Sequence, residues 1–120
     1  MESSKTNRPT LFRKYIIYEK DEARVIDQRS ILRVESDRSY SLVHLENGKS
    51  KVVSHPLCLL EADLSTHLFF RIHRSHLVNL GAIQSINKKC RRIKLIDGTV
   101  LPVAEAKMES LIKAIKAFGD

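Results

Sequence analysis

At 120 residues the sequence is expected to be one domain, long enough for a real hydrophobic core. Apolar content of 42%, no apolar run near membrane-span length and no signal-peptide pattern at the N-terminus point to a cytoplasmic globular domain. Lys and Arg outnumber Asp and Glu 21 to 14, and residues 71–120 hold 10 of the basic but only 4 of the acidic side chains, a field suited to a polyanion: nucleic acid first, anionic lipid second.

Residues 1–10 (MESSKTNRPT) are polar and aperiodic, so a loose tail is expected there, with the domain running over 11–120. Short β signals follow at Tyr15–Tyr18 and Ala23–Ile26, and Ile31–Glu35 alternates with the period of a half-buried strand. Asn47-Gly48 predicts a two-residue turn with both positions at positive φ, joining strands Tyr40–Leu45 and Lys49–Val53. A short helix is expected over His55–Leu64, with Pro56 in its first turn and Leu57, Leu60 and Leu64 on one side. Two cysteines, Cys58 and Cys90, are too few for a disulfide scaffold and form no C-x-x-C pair. Cys58 is expected to be a buried thiol and Cys90 a half-exposed one.

The stretch Phe69–Leu80, FFRIHRSHLVNL, predicts a buried strand, an exposed turn carrying Arg74 and Ser75, and a second buried strand. From Arg71 to Lys94 there are seven Lys or Arg and no Asp or Glu. Arg92–Ile96 and Thr99–Val103 flank Asp97-Gly98 as another hairpin, with Pro102 at a strand end or sheet edge. A helix over Glu105–Phe118 carries Met108, Leu111, Ile112 and Ile115 as its apolar stripe, and Gly119 is placed to cap it. The fold class is therefore mostly β: about ten short strands, a short helix near 55–64 and a C-terminal helix near 105–118.

These residues resemble the LytTR family of bacterial DNA-binding domains. The resemblance rests on Val34-Glu35-Ser36-Asp37 followed by Tyr40, and on the Glu46-Asn47-Gly48 hairpin before a leucine-rich helix. FFRIHRSHLVNL adds the most specific element, matching F-x-R-x-H-R-S-x-(hydrophobic)-V-N. Ile83–Ile86, the Asp97-Gly98 hairpin and Leu101-Pro102-Val103 complete it. It implies an elongated antiparallel β fold whose loops, along one face, enter successive major grooves of bent DNA at promoter direct repeats. It also implies double-stranded DNA as partner, a receiver domain or sensor protein upstream, and a monomer in solution that pairs on DNA. Neither a cofactor nor a membrane is implied.

Arg74 is the first candidate, because a guanidinium donates two parallel hydrogen bonds to guanine O6 and N7. Ser75 suits a phosphate oxygen, or stabilises its own turn. Arg38, Ser39, Tyr40 and Ser41 belong to the implied first DNA-facing loop, with Asp37 capping it. Lys88 and Lys89, with Arg91 and Arg92, form a basic knot suited to backbone attraction. After Leu101-Pro102-Val103 the family commonly has Ser followed by Arg. Here Ala104-Glu105-Ala106 stands instead, leaving Lys107 as the phosphate contact of that loop.

Two other classes compete. A non-catalytic module would use the same face for an acidic protein or other polyanion without sequence readout. A nuclease would need His73 and His76 in catalysis, but no third metal ligand lies nearby in sequence and no nucleophile-base pair stands out. RNA binding lacks a stacking platform, since Trp is absent and only seven Phe and Tyr are present.

Overall fold

The computed structural model describes residues 13–119; the expected tail and the domain start at Leu11 lie outside the described residues. Along the chain come β1 (Lys14–Tyr18), β2 (Ala23–Asp27), β3 (Ile31–Asp37), β4 (Tyr40–Leu45) and β5 (Ser50–Val53). Helix α1 (Leu57–Asp63), β6 (Phe69–His73), β7 (His76–Asn79), β8 (Ile83–Asn87), β9 (Arg92–Leu95), β10 (Val100–Pro102) and helix α2 (Met108–Ala117) follow. The expected mostly β architecture of ten short antiparallel strands with a C-terminal helix is what forms.

A central sheet of order β5-β4-β3-β7-β6 organises the molecule, joined by a sheet of order β10-β9-β8 and a β1-β2 hairpin. Its two faces build two cores. Ile31, Val34, Val43, Val53 and Leu77 pack with Leu57, Leu60 and Leu64 of and after α1, and with Ile17 of β1. Leu32, Ile72 and Val78 pack on the other face with Ile93, Leu95, Leu101 and Leu111 of the small sheet and α2. Irregularities in pairing allow this. The register slips between Ile31 and Arg33 on β3, and between Arg71 and His73 on β6. An extra residue at a bulge re-aims a side chain, and both Leu32 and Ile72 enter the second core. The freed Ile72 carbonyl accepts the Ala104 N–H at 2.8 Å, which docks the approach to α2 on β6.

The helices are shorter than the sequence suggests. Pro56 is the N-cap of α1, with φ −69° and ψ 158°, not a first-turn residue. The residue before a proline is pushed out of the helical region, so His55 stays outside. Leu57 and Leu60 take the inward side and leave Cys58 exposed, correcting the expected buried thiol; Cys90 is exposed as well. Residues 105–107 form a 3₁₀ turn before α2, Leu111 is fully buried, and Gly119 ends the helix at φ +87° as expected of a cap.

Both predicted glycine hairpins form, but with three-residue loops. Leu45 N–H donates to Lys49 O at 2.8 Å and Gly48 N–H to Leu45 O at 3.0 Å. Leu95, Thr99 and Gly98 repeat the pattern at 2.8 and 2.9 Å. Only the glycines, Gly48 at φ +86° and Gly98 at φ +90°, are left-handed; Asn47 is not. Asn47 and Asp97 instead accept the N–H two residues on, at 2.9 and 3.0 Å. That is a turn closed by a glycine bulge, the next most common hairpin solution.

Candidate nucleic-acid interface

Two hairpin tips emerge side by side at one end of the central sheet. Asp37 pairs with Tyr40, so Arg38-Ser39 is a two-residue turn; His73 pairs with His76, so Arg74-Ser75 is another. Antiparallel pairing of β3 with β7 aligns them, and Ser36 N–H donates to Ser75 O at 2.9 Å between the tips. Neighbouring strands lie about 4.8 Å apart, and the tip centres are two strands apart, so they stand about 10 Å from each other. Arg38, Ser39, Tyr40 and Arg74 are exposed, and Ser75 is half-buried. Arg38 sits at φ +61°, a left-handed conformation that a side chain ordinarily avoids.

The Arg74-Ser75 turn is held from beneath. Arg71 donates from Nε to His73 O at 3.0 Å and from Nη2 to Arg74 O at 2.5 Å. Its Nη1 donates to Glu61 Oε1 of α1 at 2.6 Å. Ser75 N–H donates to His73 Nδ1 at 3.1 Å. His73 therefore serves as an acceptor for backbone, and its ring lies 5.5 Å from that of His76.

Behind the tips the sheet carries a charged cluster. Glu35 Oε1 lies 3.1 Å from His44 Nε2 and 3.4 Å from Arg33 Nη1. Burial pushes the Glu35 carboxyl up, but the His44 hydrogen bond and the Arg33 charge outweigh it and hold it below its usual value. His76 is opposite Glu35 in the register. Burial lowers its pKa, the Glu35 charge opposes this, and His73, Arg33 and His44 add to the lowering. Its Nδ1 is buried without a hydrogen-bond partner, which fits a neutral ring.

The flanking cations join this surface through backbone. Ala104 N–H is bonded to Ile72 O, and Val103 N–H donates to Arg91 O at 2.9 Å. Lys107 thus follows the β6 edge, and the Lys88–Arg91 loop follows Val103. Lys88, Lys89, Arg91 and Lys107 are all exposed. Arg91, like Arg38, is left-handed, at φ +52°. Glu105 and Ala106 are exposed beside Lys107, so the third loop presents one cation and one carboxylate.

One expected contact does not reach the surface. Ser41 is fully buried and its hydroxyl donates to His55 O at 2.7 Å, tying β4 to the segment before α1. With Val43 and Leu45 it forms the inward side of β4. Arg71 and Glu61, by contrast, were not among the expected site residues. Among the described residues no group of three or more His, Cys, Asp or Glu side chains is placed to hold a metal ion, and no helix is long and apolar enough to cross a membrane.

The LytTr DNA-binding domain family model matches residues 21–116. No curated protein is significantly similar to the sequence. Among solved structures the fold is similar to the LytTr DNA-binding domain of a methyl-accepting/DNA response regulator from Bacillus cereus. The TM-score is 0.72 at 19% identity, over 85% of this chain and 95% of that one.

Proposed function

The chain belongs to the LytTR family of DNA-binding domains, and on that premise we propose that it reads double-stranded DNA through its two adjacent hairpin tips and regulates transcription. The carrying observation is the juxtaposition of Arg38-Ser39 and Arg74-Ser75 at one end of the sheet. A major groove about 12 Å wide admits a two-stranded ribbon across its width, so tips about 10 Å apart enter it one after the other along the groove. Arg74 then donates to guanine O6 and N7, while Arg38, Ser39 and Ser75 meet phosphates or neighbouring base edges, and the Tyr40 ring packs at the groove wall.

Lys88 and Lys89 on one loop and Lys107 on another supply salt-dependent attraction to the flanking backbone. Drawing these loops to the DNA bends it, adding a contribution from steps no side chain touches. One domain covers one short repeat; two monomers pair on a promoter direct repeat. A receiver domain or sensor protein upstream provides the signal, a reading supported by the likeness to a domain of a DNA response regulator, and the setting is cytoplasmic. The role is binding without catalysis.

Selection from a random duplex library at moderate salt tests this reading. One short motif, repeated in the same direction, is the expected result. Salt-sensitive retention without enrichment would favour the non-reading polyanion module, for which the exposed Glu105 and Ala106 on the third loop are the supporting observation.

A further inference from the structure

We propose that Arg71 is a positioning residue that fixes the Arg74-Ser75 turn to helix α1, so that the aim of Arg74 depends on Glu61. The inference rests on the reading of Arg74 given above. All three guanidinium nitrogens of Arg71 are committed. Nε and Nη2 bind the carbonyls of His73 and Arg74, the residues that open the turn, and Nη1 binds Glu61. The planar fork of arginine holds such acceptors in fixed relative positions, which an ammonium cannot do. Only 21% of the Arg71 side chain is exposed, against 44% for Glu61. Arg71 is thus spent on the protein rather than free for phosphate.

The consequence concerns preorganisation. A two-residue turn on a bulged strand has few restraints of its own, and the slip between Arg71 and His73 removes one ladder position just before it. Arg71 replaces that restraint from the side, and Ser75 N–H to His73 Nδ1 adds a second at 3.1 Å. A base contact needs its donor pair aimed before binding; a loose turn would lose discrimination first. Glu61 in turn fixes Arg71, so the helix end and the reading tip form one unit.

A double-mutant cycle tests this on the intact chain, using a duplex carrying the selected site and one with the preferred guanine replaced. Arg74→Ala is expected to lose about tenfold or more in preference. Arg71→Ala should lose much of the same preference, yet less than about twofold more when added to Arg74→Ala, because coupled residues are non-additive. The salt slope of Arg71→Ala should stay unchanged, whereas loss of a phosphate contact would lower it by about 0.9. Glu61→Ala should weaken preference in the same way, and Glu61→Gln, which keeps the acceptor oxygen, should retain it. Circular dichroism accompanies each variant; if Arg71→Ala does not fold, the Glu61→Ala and Glu61→Gln pair decides, and equal preference in both overturns the proposal. A salt slope lowered in Arg71→Ala, or its full additive loss on top of Arg74→Ala, overturns the positioning role alone. Unchanged preference in Arg74→Ala overturns the reading of Arg74 and the positioning role with it.

Discussion

Arg38 offers a perturbation in which stability and binding move in opposite directions. Its backbone is left-handed at φ +61° in the two-residue turn between β3 and β4. A residue with a Cβ spends about 1–2 kcal/mol in that region, a strain glycine avoids. Glycine loses about 0.5–1 kcal/mol more backbone freedom on folding, so the net gain of Arg38→Gly over Arg38→Ala is about 0.5–1 kcal/mol. A chain of 120 residues shifts its melting midpoint by about 4 °C per kcal/mol, so such a gain raises it by about 2–4 °C. Both variants lack the cation and should bind DNA equally weakly, with the salt slope reduced by about 0.9 if the lost contact is a phosphate. Thermal melts and salt-titrated fluorescence anisotropy on the pair provide the assay. A glycine variant less stable than the alanine variant would refute the backbone argument, and wild-type affinity in both would remove Arg38 from the interface.

Three further outcomes follow from the same geometry. Ser41→Ala should destabilise by about 0.5–1.5 kcal/mol, because it removes the 2.7 Å hydrogen bond by which the buried Ser41 hydroxyl ties β4 to His55 O, while the selected motif stays the same; urea unfolding and the selection check both halves. Folded His76 takes up its proton below the ordinary 6.5 because burial disfavours its charge. The unfolded chain therefore protonates first, so this contribution is full above pH 6.5 and is lost as pH falls through it. Urea midpoints between about pH 7.5 and 5 should fall with acid, and less steeply in His76→Gln; identical slopes would contradict the assignment. Replacing Lys88 and Lys89 together by alanine should lower the salt slope by about 0.9 per lost phosphate contact and leave the preferred sequence unchanged; an altered motif would contradict a backbone role.

Much of the fold was legible where local chemistry is strong. Glycine at Gly48 and Gly98 marked both loops, Leu57-Leu60-Leu64 marked the inward side of α1, and Leu111 marked that of α2. Legibility failed where distant partners decide. The Arg38-Ser39 turn has none of the usual left-handed turn residues, so its place came from the family resemblance, and the pairing of Asp37 with Tyr40 sets its two-residue length. Ser41 looked like a loop residue, although its period-two relation to Val43 and Leu45 carried the signal of burial. Arg71 stood both in a basic stretch and as the first Arg of the F-x-R-x-H-R-S signature, but neither gave it a role. Its partners are two backbone carbonyls and a glutamate ten residues away across a helix–strand junction, which no spacing rule picks out.

The claim that Arg74 reads a guanine is tested most directly by replacing guanines of the selected site, one at a time, with 7-deazaguanine. That substitution removes the N7 acceptor and leaves Watson–Crick pairing intact. The wild-type chain should lose affinity at one guanine by a large part of the about 1–3 kcal/mol that a bidentate contact supplies, and Arg74→Ala should show no loss at that position. Equal losses in wild type and Arg74→Ala, or no sensitive guanine at all, would contradict the account.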